Sequence, residues 1–189
     1  MQRRALTNFI AAVLLCVAAS AVARAQDFQR SYNVGPNGSI SIANVSGDVN
    51  IKGYDGSAVE VSGFKEGPDR NVVEVEDLSA NGRVELRAKY PRNCNCDASI
   101  RFEVRVPRSI SFDFDKISTA SGNVRVRLPA SVDADVEMST ASGDIDTNFP
   151  VEVKDDKYGS GKHARGRLGS GSRLLRISSA SGDLSLKSI

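Results

Sequence analysis

Four short segments repeat a group of residues whose oxygens could hold a cation. They are Ile42-Ala-Asn-Val-Ser-Gly-Asp-Val-Asn-Ile51, Ile117-Ser-Thr-Ala-Ser-Gly-Asn-Val-Arg-Val126, Met138-Ser-Thr-Ala-Ser-Gly-Asp-Ile-Asp-Thr147 and Ile177-Ser-Ser-Ala-Ser-Gly-Asp-Leu-Ser-Leu186. If the copies stack, Asp48, Asn123, Asp144 and Asp183 line up as a row of carboxylate and amide oxygens, the hard ligands that calcium takes. The same residue types also build tight corners. Glycine supplies positive φ, while Ser and Asp or Asn side chains bond nearby backbone amides. Calcium-binding β-rolls use a denser Gly-Gly-x-Gly-x-Asp pattern, which is absent here. The expectation is a structural corner, with neither metal nor cofactor.

Other candidate chemistry is sparse. Cys94 and Cys96 stand two apart in Asn93-Cys94-Asn95-Cys96-Asp97. In an extended strand their Cα atoms would be about 6.6 Å apart, near the upper limit for a disulfide. A bridge needs a local turn, and free or intermolecular thiols are the alternative. A zinc site would need further ligands, and the one histidine, His163, is distant in sequence. No Gly-x-Ser-x-Gly elbow is present, and a glycine-rich stretch around His163 is a poor mount for a base that must be held rigidly. Gly159-Ser160-Gly161-Lys162 misses the phosphate-loop spacing at Asp156 and at His163. No catalytic residues are expected, and the chain does not read as an enzyme.

The stretch from Lys154 to Gly171 carries Lys154, Lys157, Lys162, His163, Arg165 and Arg167 against only Asp155 and Asp156. A basic loop on a near-neutral body could dock an anionic glycan or the acidic patch of an envelope protein. The plainer reading is a solvated hairpin.

These residues must be positioned by strands. Apolar and polar residues alternate through Val124, Val126 and Leu128, through Val132, Ala134 and Val136, and through Ile100, Phe102, Val104 and Val106. Period two marks half-buried strands, and no stretch after residue 25 keeps a helical period. The second and third copies lie 21 residues apart, and the third and fourth 39 apart, which is one period plus an insertion of 18. A unit this short cannot bury its own inner face, so neighbouring copies must stack. Stacking puts Ile117 over Met138 and Ile177, and Val124 over Ile145 and Leu184. The expected fold is an all-β, single-domain β-solenoid with repeats of about 21 residues, with a β-sandwich or prism as the alternative. The insertion should be a protruding, removable hairpin, and an uncapped solenoid could form oligomers by end stacking.

The Thr-Ala-Ser-Gly-Asp-Ile type motif, Val106-Pro107 ahead of a strand, and Gly169-Ser-Gly171 before the last copy together resemble the bacterial putative-adhesin family. The resemblance runs from Ile40 to Leu186. It implies an exported domain of unknown function with a β-helix-like repeat and an adhesin label, and it brings no catalytic residues.

The N-terminus sets the compartment. Arg3 and Arg4 precede an apolar run from Phe9 to Ala19, and Ala23-Arg24-Ala25 closes it. That is the pattern of a signal peptide cleaved before Gln26, with a core too short for the roughly 20 residues of a membrane span. The expected organisation is a signal peptide over 1–25 and one domain over 26–189, extracytoplasmic, either periplasmic or secreted, and not membrane-spanning after cleavage. Cleavage removes Arg3, Arg4 and Arg24, leaving 22 of the 25 basic residues against 23 acidic ones. Such a balance does not favour nucleic acid as a partner. The functional expectation is a non-enzymatic surface or periplasmic interaction domain, with a structural, self-assembling envelope module as the alternative.

Overall fold

The computed structural model describes residues 26–109, 111–156 and 159–189. The expected leader, its cleavage site and Lys157 lie outside these residues. Alternation becomes strand throughout: β1 (Phe28–Tyr32), β2 (Ser39–Ala43), β3 (Val49–Tyr54), β4 (Val59–Glu66), β5 (Glu74–Asp77), β6 (Arg83–Lys89), β7 (Ser99–Pro107) and β8 (Asp113–Ser121). The second half holds β9 (Val124–Leu128), β10 (Ala134–Ser142), β11 (Ile145–Thr147), β12 (Glu152–Asp155), β13 (Lys162–Leu168), β14 (Leu174–Ser181) and β15 (Leu184–Ser188). Arg70–Val72 makes a single 3-10 turn. No helix among the described residues is long and apolar enough to cross a membrane.

The strands form two mixed sheets around one core. The first has the order β1-β4-β7-β3-β9-β15-β11, and the second β12-β13-β10-β14-β8-β2-β6-β5. Each Ser-Gly-Asp/Asn segment is the corner at which the chain leaves the second sheet and enters the first. Inward side chains then form ladders across parallel strands. Met138, Ile177, Ile117, Ile42 and Leu86 make one in the second sheet, and Ile145, Leu184, Val124, Val49 and Phe102 make the other in the first. All ten are buried, and each contributes on the order of 1.5–3 kcal/mol.

The copies do not stack in chain order, and among the described residues there is no closed solenoid. The fourth copy (β14, β15) lies between the third (β10, β11) and the second (β8, β9), with the first (β2, β3) beyond it. The cause is the insertion. From β11 the chain returns as β13, antiparallel to β10 on its outer side, and crosses the start of β10. It then enters β14 on the other side of β10. A fifth unit, β6 with β7, completes the stack next to the first copy and has no Ser-Gly-Asp corner.

Asp133, just ahead of β10, holds that crossing. Its carboxylate accepts hydrogen bonds from Ser170 Oγ (2.7 Å) and from the amides of Gly171 (2.6 Å) and Ser172 (3.0 Å). Donation by Ser170, followed by Ser172 and Gly171, pulls the Asp133 carboxyl down to about 2. A depressed folded value means that the clasp stabilises the fold above the unfolded carboxylate range, near 3.9, and is lost only as pH falls through about 2. The amides of Gly171 and Ser172 should therefore stay protected from hydrogen exchange at pH 3 in the natural protein and open in Asp133→Ala. Equal protection in the two proteins would remove Asp133 from this role.

Candidate functional site

The four corners form one continuous ladder along the stack. Gly182 N donates to Ser142 O (2.9 Å), Gly122 N to Ser181 O (3.0 Å) and Gly47 N to Ser121 O (2.8 Å). One residue on, the side chains act across corners: Asp144 N donates to Asp183 Oδ1 (2.9 Å), Asp183 N to Asn123 Oδ1 (2.8 Å) and Asn123 N to Asp48 Oδ1 (2.9 Å). The hydroxyl three residues before each glycine reaches the neighbouring copy as well. Thr140 Oγ1 donates to Gly182 O (2.9 Å), Ser179 Oγ to Gly122 O (3.1 Å) and Thr119 Oγ1 to Gly47 O (3.1 Å). Asn44 Nδ2 ends the series on Ile100 O (2.7 Å) and Gly47 O (2.9 Å). Thr119, Thr140, Ser179 and Asn44 are buried, so these bonds satisfy groups that would otherwise be costly inside.

The nominated oxygens are therefore engaged with protein. At the open end of the ladder, Asp144 receives Lys162 Nζ at 2.5 Å, and this contact raises the lysine above its ordinary range. At the other side, Asp48 pairs with Arg125 at 2.5 Å. Among the described residues no group of three or more His, Cys, Asp or Glu is placed to hold a metal ion. The side chains cap the amide of the next copy's corner, where sequence reasoning placed the bond within the same turn.

Cys94 and Cys96 lie in the excursion from Tyr90 to Ala98, which replaces the corner in the β6–β7 unit. They are joined as a disulfide with Cα atoms 5.1 Å apart. Asn93, just ahead of the pair, stands at φ 57°. Cys94 is exposed and Cys96 is half-buried against the core.

The basic insertion is not a protruding loop, because its second half is a strand of the main sheet. β13 pairs with β10 from Ala134 opposite Leu168 to Thr140 opposite Lys162, and Ala164 and Leu168 enter the core. The cue lay in the sequence, as Ala164, Gly166 and Leu168 alternate with His163, Arg165 and Arg167. Its described basic side chains all meet carboxylates: Lys154 with Glu152 (3.0 Å), Lys162 with Asp144, Arg165 with Glu137 (3.9 Å) and Arg167 with Asp135 (2.7 Å) as ion pairs, and the His163 ring with Asp156 (2.9 Å).

His163 sits on a strand, opposite Ser139 in register, with Nδ1 held by Asp156. Residue types alone would suggest a Ser-His-Asp set. The surroundings do not support one, since β10 lies between β13 and β14 and its amides serve sheet pairing, leaving no paired donors for an oxyanion. Both side chains are on an exposed face.

A different group of charges, missed by sequence reasoning, is brought together on the outer face of the first sheet. Arg105, Lys52, Arg127 and Lys187 occupy one row across β7, β3, β9 and β15. Arg105 pairs with Glu60 (2.9 Å) and Lys187 with Asp146 (2.5 Å) at the two ends. Lys52 and Arg127, adjacent in the middle, are exposed, and neither forms an ion pair within the described residues. The signal was a fixed offset: a cation follows the Asp or Asn of the motif by four residues in the first, second and fourth copies, at Lys52, Arg127 and Lys187. In the third copy Asn148 takes that place. Beside the row, Lys52, Tyr54, Asp55, Arg105 and Arg108 line an open pocket of about 300 Å³.

Residues 113–187 match the family model described as Toastrack DUF4097. The match takes in 75 of the 189 residues. The matched segment runs from the start of β8 to Lys187 and includes the last three copies with the β12–β13 hairpin. Two solved structures are similar to the chain at low identity. A putative cell adhesion protein from Clostridium sporogenes ATCC 15579 is 11% identical, with a TM-score of 0.42, over 86% of this chain and 99% of that one. A putative adhesin from Bacteroides fragilis NCTC 9343 is 10% identical, with a TM-score of 0.29, over 86% of this chain and 96% of that one. No curated protein sequence matches the chain.

Proposed function

We propose that this protein is an exported, non-enzymatic interaction domain of the adhesin-like class, and that it meets its partner through the outer face of the first sheet. The row of four cations carries the reading. Like charges directly opposite one another across strands destabilise a sheet, and the same protein alternates signs on its second sheet, where Arg165, Glu137 and Arg176 follow in order across β13, β10 and β14. A row that costs stability and occupies no core position is accounted for by an anionic partner.

Three hydroxyls of the repeat, those of Thr119, Thr140 and Ser179, are engaged in the corner ladder, which supports a structural use of the motif. The edge strands weigh against end stacking as the main role. β11 is short, β12 (Glu152–Asp155) is exposed and carries three charges around Val153, and β5 reads Glu-Val-Glu-Asp, features that blunt an edge.

Labelled protein beginning at Gln26 should bind washed bacterial envelopes saturably, whereas Arg127→Glu, folded and equally stable, should not. It should also resist fluorophosphonate labelling at Ser139. Equal envelope binding by the two proteins, or labelling of Ser139 that requires His163, would overturn the proposal.

A further inference from the structure

We infer that the row Arg105, Lys52, Arg127 and Lys187 is a binding track for a linear polyuronate, a glycan carrying one carboxylate per sugar ring. The inference rests on the interaction-domain reading and names its ligand class. It moves the anion-binding role from Lys154, Lys162, Arg165 and Arg167, each paired within the chain, to a row whose two middle members, Lys52 and Arg127, form no ion pair within the described residues, while Arg105 and Lys187 at its ends are paired with Glu60 and Asp146.

Geometry is the first argument. Adjacent strands lie about 4.8 Å apart, so four in-register cations span about 14 Å in nearly even steps. An extended uronate chain advances by a similar distance per ring, so successive carboxylates can meet successive strands. The sheet fixes the spacing of the Cα atoms, so binding the polymer orders side chains and no backbone.

The chemistry around the row fits sugar. One residue pair closer to the corners, Asn50, Arg125 and Ser185 share the same face in register; the Asn50 amide donates to Glu103 and Arg125 pairs with Asp48, which leaves their remaining polar atoms and the Ser185 hydroxyl to face ring hydroxyls. On the other side Tyr54 lies half-buried with the Arg105 guanidinium 4.2 Å from its ring centre, and its hydroxyl donates to Ala58 O at 2.7 Å. The pocket at this end adds Arg108, paired to Asp55 at 3.2 Å, and suits a chain terminus. A guanidinium can grip a carboxylate through two parallel bonds. Single-stranded nucleic acid also carries regular charge, but its usual protein surfaces present successive aromatic platforms for the bases. Here Tyr54 is the one aromatic among the described residues that flank the row.

Binding of oligogalacturonate to the full mature protein, followed by calorimetry, tests this, with neutral dextran and oligothymidylate as comparison probes. The double variant Lys52→Ser/Arg127→Ser should lose about tenfold in affinity, the product of two exposed charge contacts. Its melting temperature should hold or rise, since the like-charge contact is removed. Binding of the natural protein should weaken as sodium chloride rises, because exposed charges are screened over about 10 Å at 0.1 M. Unchanged affinity in the double variant overturns the track, and oligothymidylate binding as tight as oligogalacturonate binding overturns the glycan assignment. Envelope binding that depends on Arg127, combined with no oligogalacturonate binding, would sink this ligand class and leave the interaction-domain reading standing. Loss of both would remove the two together.

Discussion

Gly182→Ala should abolish folding, or leave at most a minor soluble fraction with no cooperative melt. Gly182 stands at φ 145°, which side-chain-bearing residues rarely adopt, and a Cβ there would overlap the carbonyl oxygen and carbon of Gly122. Neither neighbour can yield. Gly122 is fixed by its own amide bond to Ser181 O, and its carbonyl accepts the Ser179 hydroxyl. Relieving the overlap would mean parting β14–β15 from β8–β9, and with them the Ile177–Ile117 and Leu184–Val124 contacts. A cost above about 4 kcal/mol is expected, a large part of a domain's total stability. Gly82→Ala is the control. Its φ is 76°, yet nothing lies within 4 Å of an added Cβ, so only backbone strain of about 1–2 kcal/mol remains. Thermal melts of the two proteins, side by side, check the difference. Similar melting temperatures would mean that the corners are not in contact as described.

Excising residues 152–168, with a short Gly-Ser joint, should lower the melting temperature by more than about 10 °C or yield aggregate, given the 2–4 °C that each kcal/mol is worth at this size. The sequence alone pointed the other way, to a hairpin that could be shed. In the fold, deletion strips β13 from β10 and exposes a long strand edge, a template for aggregation. It also removes the buried side chains of Ala164 and Leu168 and the route by which β14 reaches its place beside β8. Replacing Arg165 and Arg167 by Ser in the intact chain should by contrast be nearly silent, because exposed ion pairs contribute about 0–1 kcal/mol. A truncated protein that melts like the natural one would show that β14 finds its position without β13.

Much of the core was legible before the structure. Val124, Ile145 and Leu184 meet because alternation is a property of the strand itself, and the repeated corner sets a common register. The order of copies was not legible, because parallel pairing across a stack leaves no mark on either strand. Ile177 is as good a neighbour for Ile117 as Met138 is, and the choice was made by β13 and the Asp133 clasp. The β6–β7 unit went unseen because its corner is replaced by the excursion carrying Cys94 and Cys96. Lys52, Arg127 and Lys187 were spelled at a constant offset, but each looks like an ordinary solvent-facing residue until four strands put them in a row with Arg105.

The central claim is that the Ser-Gly-Asp motif is spent on holding the copies together, and amide hydrogen exchange at the corners tests it most directly. The amides of Asn123, Asp144 and Asp183 donate to side chains of the adjacent corner, although they lie in turns, where amides commonly exchange fast. They should be strongly protected in calcium-free buffer, and millimolar calcium should leave their rates unchanged. Rapid exchange at these three amides that becomes slow only when calcium is added would contradict the account and make the corners a cation site.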